Sequence, residues 1–186
     1  MRPTLIEVEA DATTAPLGLY GAVTVAFESY HAELYNFLRR STRDDAAAED
    51  LLQEAYLRLT REVDAGRTPE HVRGWLYRVA SNLAISRGRR RMTAFDWMSR
   101  YGRQSVGDDV PSPEARLLAR ERTSALEAVL ATLPAEARTA LLLSADGFSG
   151  EEIAAAIGRS HAAARTLLSR SRVRVRLELE RQGDVR

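Results

Sequence analysis

The side chains that could do chemistry in this chain are few, and their spacing indicates neither catalysis nor metal binding. The 186 residues include no Cys, which excludes disulfides, a thiol nucleophile and thiolate-ligated zinc or iron–sulfur sites. The three histidines, His31, His71 and His161, are too far apart in sequence to form a local metal site. Residues 147–151 weakly resemble a Gly-x-Ser-x-Gly nucleophile elbow, but Glu151 replaces the last Gly and no strand precedes it. We therefore predict a protein that is not an enzyme and uses no cofactor or metal.

Arginine is the abundant charged type, and it falls in blocks that the net charge of +1 conceals. All 27 basic residues are Arg; residues 65–103 hold nine of them with two acidic residues, and residues 165–186 hold seven with three. Residues 44–64 instead hold seven acidic residues and two Arg. This alternation indicates two surfaces for a polyanion and one for a different partner. The absence of Lys reflects either a genome rich in G and C or the bidentate contacts that Arg makes with phosphate and guanine.

The segments that must position these charges have apolar residues at helical spacing. The apolar spacing predicts helices over residues 21–40 and 46–61. A third helix carries residues 72–85 and then the arginines of 87–91, with Thr68 as its N-cap and Pro69 in its first turn. The pattern breaks over residues 94–112, where Gly, Ser, Asp and Pro accumulate. Four large apolar residues in the first part of this break either extend the third helix, cap it or contact a partner: Phe95, Trp97, Met98 and Tyr101.

The predicted fold is all-α, with two small helical domains over residues 20–92 and 113–182. A flexible linker over 93–112 joins them, residues 1–19 form an N-terminal extension whose order is left open, and residues 183–186 form a tail. The N-terminal sequence has an acidic residue at Glu7 and lacks the apolar stretch of a signal peptide. Apolar runs elsewhere are far shorter than the ~18 residues of a membrane span. We therefore expect a cytoplasmic protein without a signal peptide or stable membrane insertion.

A helix-turn-helix is predicted near the C-terminus. Ser149, followed three residues later by Glu152, fits a capping box, and the short helix that it opens ends at Gly158. A basic helix then begins near Ser160, and residues 165–176 carry five Arg without an acidic residue. In this arrangement the second helix enters a major groove of DNA. A helical hairpin with a solvated Arg face is the alternative.

Two pairs of segments resemble the extracytoplasmic-function sigma factors. The segments AAAEDLLQEAYLRLTREV (46–63) and HVRGWLYRVASNLAISRGRRR (71–91) resemble region two of the family, and residues 126–160 and 164–176 resemble region four. The likeness covers about residues 22–92 and 114–178, in the family's order. It implies an alternative sigma factor, which is a dissociable, DNA-reading subunit that directs promoter-specific initiation by bacterial RNA polymerase and has no catalytic activity.

The resemblance also implies which residues make each contact. The contact with the clamp helices of the largest polymerase subunit falls on Asp50, Leu51, Gln53, Glu54 and Leu57. Opening and reading of the minus-ten region fall on Arg73, Tyr77, Asn82, Arg87, Arg89, Arg90 and Arg91. Reading of the minus-thirty-five region by the helix-turn-helix falls on Ser160, His161, Arg165, Thr166, Ser169, Arg170 and Arg172.

Two aromatic residues near the minus-ten segment need separate treatment, because either ring could stack on an unpaired base. Trp75 shares a helical stripe with Leu76 and Val79, so we expect it in the core, with base stacking as the alternative. Tyr77 lies two residues further round the helix and is expected to be exposed.

The helix-turn-helix departs from the family pattern at one place. Arg165 and Thr166 stand where the family usually has Lys-Ser, but residues 162–164 are three alanines where it commonly has Gly-Thr-Val. Minus-thirty-five specificity is therefore the least transferable part of the resemblance. His161, at the start of the basic helix, is either a base or phosphate contact or a solvated cap residue.

The resemblance implies core RNA polymerase, promoter DNA and an anti-sigma factor as partners. The rival interpretation is a stand-alone helix-turn-helix regulator, which would bind duplex DNA as a dimer without core polymerase. The acidic face over residues 50–54 favours the sigma interpretation.

Overall fold

The computed structural model describes residues 15–101 and 125–184, with side chains over 21–92 and 125–181. Seven helices occur in these ranges: α1 (Ala15–Thr42), α2 (Asp45–Asp64), α3 (Val72–Tyr101), α4 (125–131), α5 (Ala135–Ala145), α6 (Gly150–Ile157) and α7 (His161–Asp184). The described ranges contain no strand, so the predicted all-α class is confirmed. The extension up to residue 14, the later part of the predicted linker and the predicted helix start near 113 lie outside them.

The N-terminal unit consists of α1, α2 and α3, and a two-residue turn sets its first corner. Arg43 lies in the left-handed region at φ 60°, which residues other than Gly rarely adopt. Asp44 caps α2, since its Oδ1 accepts a hydrogen bond of 2.9 Å from the backbone N–H of Ala47. Leu34 and Phe37 of α1 are among the fully buried side chains that form the core of this unit.

The third helix begins at Val72, so the prediction of Thr68 as its N-cap and Pro69 in its first turn is wrong. The backbone N–H of Arg67 still donates to the carbonyl of Glu62, and the two side chains form a 2.9 Å ion pair. These bonds hold residue 67 in the turn that ends α2, so the chain needs residues 68–71 to change direction. At its other end α3 continues to Tyr101, which shows that the apolar residues of the predicted linker's first part extend this helix.

The C-terminal unit consists of α4 to α7 and contains the predicted helix-turn-helix. The backbone N–H of Ser149 donates to Glu152 Oε2 at 2.8 Å, and that of Glu152 donates to Ser149 Oγ at 3.3 Å. This reciprocal capping box opens α6, and Gly158 ends it at φ 68°. The capping box, the Gly turn and the following basic helix are all confirmed.

The two units pack against each other, which the periodicity did not predict. One buried apolar cluster runs through both of them, from Ala26 in α1 to Leu168 in α7. α3 contacts both α5 and α6, and α1 contacts α5. At the closest approach, a Cβ built on Gly88 of α3 would lie 2.5 Å from the Cβ of Ala135 in α5. We call this packing the closed interface. None of the helices described is long and apolar enough to cross a lipid bilayer.

Candidate nucleic-acid interface

The basic helix α7 presents the whole predicted minus-thirty-five set to solvent. The seven exposed residues are Ser160, His161, Arg165, Thr166, Ser169, Arg170 and Arg172. Ser160 precedes the helix and its Oγ accepts a 3.3 Å hydrogen bond from the backbone N–H of Ala163. The first turn of α7 is therefore capped, and the exposed side chains of the predicted set follow it along the helix.

The arginines of α7 differ in how firmly the protein holds them. Arg172 donates a 2.7 Å hydrogen bond from Nη2 to Ser144 Oγ of α5. Arg165 and Arg170 make no ion pair with any part of the chain that the structure describes. Their guanidinium groups are thus available to phosphate oxygens, whereas that of Arg172 is positioned by α5. Thr166 donates to the carbonyl of Ala162 at 2.9 Å.

The three alanines that depart from the family pattern lie in two environments. Ala164 is fully buried, whereas Ala162 and Ala163 are exposed. Relative to the family pattern, the last alanine therefore shortens a core side chain, and the middle one removes a hydroxyl from the exposed surface that is predicted to face DNA. His161 lies over Gly150 of α6, where a Cβ would come within 2.7 Å of its Nε2. His161 thus packs the two helices of the motif together while its residue remains exposed.

The basic surface of α3 is partly engaged by acidic side chains from elsewhere in the protein. Asn82, Arg90 and Arg91 are exposed. Arg87 forms a 3.2 Å ion pair with Asp44, which adds to the Ala47 hydrogen bond in holding the pKa of that carboxyl below its usual value. Arg73, at the start of α3, lies 3.7 Å from Glu33 of α1.

Tyr77 is buried, so the prediction that it is exposed is wrong. Only 2% of its surface is accessible, because its ring packs between Phe37 of α1 at 5.1 Å and Phe148 of the α5–α6 loop at 4.7 Å between centroids. Arg73 lies over both rings, 5.1 Å from Tyr77 and 4.9 Å from Phe148. Burial, followed by the charge of Asp146, raises the pKa of Tyr77. The helical spacing of α3 predicts one buried side, as for a helix with one packing partner. Tyr77 was therefore expected on the outside, but α3 has two packing partners and Tyr77 is buried between them.

Trp75 packs against the core, as expected from the stripe that it shares with Leu76 and Val79. It is half-buried, and it lines a groove between α3 and the α5–α6 region together with Gly74 and Phe148.

A partly buried carboxylate of the C-terminal unit binds arginines of both units. Glu136, whose side chain is 16% exposed, accepts a 2.6 Å hydrogen bond from Arg159 Nε and one of 3.3 Å from Arg89 Nη2. The Arg159 bond, then the charge of Arg159 and the contact with Arg89, hold the pKa of Glu136 below its usual value. Neither Glu136 nor Arg159 was among the predicted site residues. Glu136 and Arg89 are 47 positions apart, and no local sequence motif indicates a contact over that separation.

The predicted polymerase-binding face of α2 lies opposite the core side of that helix. Asp50, Gln53 and Leu57 are exposed, while Leu51 and Glu54 are half-buried. Ala55 and Leu59, on the other side, are fully buried. Glu54 accepts a 2.7 Å hydrogen bond from Arg58, which lowers the pKa of this carboxyl. The exposed leucine, 52% accessible and flanked by acidic and amide groups, is suited to a partner with an apolar contact and basic side chains.

The family model of sigma-70 region 2 matches residues 26–93, and that of sigma-70 region 4 matches residues 123–175. The first match covers α2 and most of α1 and α3 as far as the arginine block, and the second covers α4 to α6 and the first half of α7.

Several relatives align with most of the chain. “Probable RNA polymerase sigma factor RfaY” of Xanthomonas campestris pv. campestris is 35% identical over 77% of this chain, and “ECF RNA polymerase sigma factor SigE” of Mycolicibacterium smegmatis is 34% identical over 78%. The chain spans only 36% and 57% of the length of these two proteins. “ECF RNA polymerase sigma factor SigL” of Mycobacterium tuberculosis is 30% identical over 86% of this chain and 90% of its own length.

Two solved structures share the fold. One is the sigma factor RpoE in complex with the anti-sigma factor NepR from Bartonella quintana, with a TM-score of 0.61 and 23% identity, covering 83% of this chain and 94% of that one. The other is CnrH in complex with the cytosolic domain of CnrY, with a TM-score of 0.59 and 20% identity, covering 91% and 94%. Because both region models match in the family's order and the SigL relative aligns along nine-tenths of its length, the chain belongs to the extracytoplasmic-function (ECF) family of RNA polymerase sigma factors.

Proposed function

We propose that this chain binds core RNA polymerase and directs promoter-specific transcription initiation as an alternative sigma factor. The observation that carries the proposal is the presence of region 2 and region 4 matches in one chain, each on a unit with its own exposed basic helix. The proposed boundaries are residues 20–92 for the region-two domain and 113–182 for the region-four domain. The protein acts in the cytoplasm and contributes no catalytic group to the reaction.

The polymerase contact is assigned to the α2 face. Asp50, Gln53 and Glu54 supply negative and polar groups, and Leu57 supplies an exposed apolar side chain beside them. Their complement is a basic, partly apolar helical surface, which is the character that the family resemblance implies for the clamp helices of the largest subunit.

The DNA contacts are assigned to two helices with different tasks. Arg165 and Arg170 of α7 hold duplex phosphates beside the minus-thirty-five bases, while Asn82 of α3 reads a base edge in the minus-ten region and Arg90 and Arg91 hold its phosphates. Phosphate contacts position the protein without specifying sequence. Specificity is therefore assigned to the remaining polar side chains of the same surfaces: Ser160, His161, Thr166 and Ser169.

An anti-sigma factor is the proposed regulator. One structural neighbour, the sigma factor RpoE, was solved in complex with the anti-sigma factor NepR. Since the chain has no Cys, it forms no thiol switch of its own, and any redox response belongs to that partner.

The polymerase contact is tested by co-purification with core RNA polymerase, comparing the wild-type protein with a Gln53→Ala/Glu54→Arg variant. Both changes lie on the outer face of α2, so the core keeps its packing. We expect the double variant to lose about five- to 150-fold in affinity, because a charge reversal against a basic partner costs ~1–3 kcal/mol. Glu28→Arg, an exposed charge reversal in α1, is the matched control and should bind normally.

Two results would contradict the proposal. If the double variant binds core polymerase as well as the control does, the contact is not on this face of α2. If the wild-type protein does not bind core polymerase and instead binds duplex DNA tightly by itself, the stand-alone regulator is the correct function.

A further inference from the structure

Three segments of the chain meet at the arginine block of α3, residues 87–91. Asp44, in the turn between α1 and α2, forms a 3.2 Å ion pair with Arg87, which holds this turn against α3. Ala135, at the start of α5, lies against Gly88, because a Cβ built on this glycine would be 2.5 Å from the Ala135 Cβ. The α1–α2 turn and the first turn of α5 therefore reach α3 at adjacent positions.

Each of the three segments brings one arginine to this junction. Arg138 comes three residues after Ala135 and Arg91 three residues after Gly88, so each shares a helix face with a residue of the close contact. Arg43 comes from the α1–α2 turn. Burial, and then the charges of Arg43 and Arg91, lower the pKa of Arg138. We call Arg43, Arg91 and Arg138 the arginine trio.

Arg138 is the buried member of the trio, and it is unsatisfied. It is 9% exposed, and its Nε has no hydrogen-bond partner within the ranges that the structure describes. Arg43 and Arg91 are exposed and form no ion pair with a described residue. The hydroxyl of Ser41, two residues before Arg43, is also buried without a partner. A buried guanidinium without a counter-charge is costly, so this junction calls for an anion.

The carboxylates next to the trio in sequence are already engaged. Asp44 accepts from the backbone N–H of Ala47 at Oδ1 and from Arg87 at Oδ2. Both oxygens of Glu136 accept hydrogen bonds from Arg159, at 2.6 and 3.1 Å. Neither carboxylate has an oxygen left that is not already bonded, so a counter-charge for the trio has to come from a bound ion.

We propose that the arginine trio binds a small, doubly charged oxyanion of the phosphate class, which is inorganic phosphate or a phosphate monoester. Guanidinium groups donate in forks that match phosphate oxygens, and three of them favour a dianion over chloride or a single carboxylate. The exposed Arg43 and Arg91 admit the ion, and the buried Arg138 donates to it. DNA carries one charge per phosphate on a bulky strand, which suits the exposed arginines but not the buried one.

Binding is measured by titrating inorganic phosphate into the full-length protein in a calorimeter, with the ionic strength held constant by sodium chloride. Arg138→Met should weaken binding at least about tenfold, because it removes a charged hydrogen-bonding group from the site. Arg61→Met, at an exposed position on α2, removes the same charge away from the trio. This matched control should bind phosphate as the wild-type protein does.

Arg43→Gly is a second variant for which the backbone and the side chain predict different results. Arg43 lies at φ 60°, which Gly adopts without strain, so the variant should fold without loss of stability. Its affinity for phosphate should fall about two- to fivefold, because one exposed guanidinium is lost. Normal phosphate binding by this variant would contradict a site built from three arginines.

Urea denaturation gives a readout that does not depend on the heat of binding. At a phosphate concentration ten times the dissociation constant, the folding equilibrium constant of the wild-type protein should rise about 11-fold. Phosphate also stabilises folded proteins generally, because it is excluded from their surfaces, and this part should be the same in every variant. Arg138→Met should keep the general part and lose the rest, whereas Arg61→Met should keep both.

Three results would overturn the inference. Equal phosphate affinity in Arg138→Met and the wild-type protein would show that the ion binds elsewhere. Absence of phosphate binding by calorimetry, with equal stabilisation of all variants, would show that the trio holds no free ion. If a random-sequence DNA oligonucleotide binds in an Arg138-dependent way while phosphate does not bind, the trio belongs to the DNA surface and the ligand class is wrong. The polymerase contact lies on α2, so the proposed function is tested separately.

Discussion

The two basic helices, α3 and α7, are built from the same residue type but occupy opposite situations. On α7, Arg165 and Arg170 extend from an exposed face and make no ion pair within the described residues. On α3, Arg87 and Arg89 each bind a carboxylate, and Tyr77, nearer the start of the same helix, is buried. The same charge density therefore gives one surface open to a polyanion and one that is partly engaged, on which Arg90 and Arg91 remain exposed.

The difference arises from what each helix packs against, since the charges on the two are alike. α7 uses one apolar side, with Ala164 and Leu168 in the core and the opposite side in solvent. α3 is covered by α1 on one side and by α5 and α6 on another, and these neighbours bring Asp44 and Glu136 to its arginines. Two helices of similar charge thus differ in how accessible their arginines are because different elements pack against them.

The largest expected effect comes from removing the exposed arginines of α7. The predicted set makes about five phosphate contacts, so log affinity for duplex DNA should fall with log salt at a slope near −4.5. Arg165→Ala/Arg170→Ala removes two contacts, which brings the slope to about −2.7 and the affinity at ~0.1 M salt down by about 60-fold. Fluorescence anisotropy with a short random-sequence duplex at low salt measures both quantities.

Two control variants test whether the loss of DNA affinity is specific to the exposed arginines of α7. Arg181→Ala, at the end of α7 and outside the predicted set, should leave the salt slope unchanged. Arg89→Ala should change the affinity of the free protein for duplex DNA by less than about threefold, because its guanidinium is bound to Glu136. An effect of Arg89→Ala as large as that of the α7 variant would show that the α3 surface is as open as that of α7.

The next largest effect is expected from removing the Phe148 ring, which covers Tyr77 of α3. Phe148→Ala removes the ring that packs on Tyr77 and should lower the free energy of unfolding by about 2 kcal/mol, since the ring is half-buried. Phe27→Ala, where the ring is 46% exposed, is the control and should cost less than about 1 kcal/mol. Urea denaturation followed by circular dichroism measures both.

Tyrosine titration gives this variant an independent readout. Burial raises the pKa of Tyr77, so loss of the Phe148 cover should lower it towards the ordinary value near 10. Tyr56, whose pKa burial raises to about 12, lies between α1 and α2 and should not change. If the pKa of Tyr77 stays where it is in the wild-type protein, Phe148 is not the group that excludes water from it.

Local structure was largely predictable from the sequence. The capping box at Ser149, the turn at Gly158 and the exposed face of α7 were all predicted because each depends on residues within a few positions of one another. The polar outer face of α2 was predicted for the same reason, since a helical stripe determines which residues face inwards. The roles of these surfaces in binding remain predictions until they are measured.

The errors occurred where distant segments meet. Tyr77 was expected outside, yet Phe148, 71 positions later, covers it. Glu136 and Gly88 were not singled out because their importance exists only when α5 packs on α3. Thr68 and Pro69 have the residue types of a helix start, but bonds from Arg67 back to Glu62 delay the start to Val72. The residue pattern within one segment of the sequence carries no information about these long-range contacts.

The closed interface also contains a repulsive group, and this gives the smallest predicted effect. Arg138 of α5 is 9% exposed, and its Nε has no hydrogen-bond partner among the residues that the structure describes. Burial, and then the nearby charges of Arg43 and Arg91 in the N-terminal unit, lower its pKa. An unpaired buried charge destabilises the packing around it, so a flexible apolar side chain of similar length should be an improvement.

Arg138→Met should therefore raise the free energy of unfolding by about 1 kcal/mol, as measured by urea denaturation. Arg61→Met, an exposed position on α2, is the control and should change it by less than about 0.5 kcal/mol. A loss of stability would show instead that the guanidinium is satisfied and supports the interface. In that case the contrast between the occupied α3 surface and the open α7 surface would depend on attractive contacts alone.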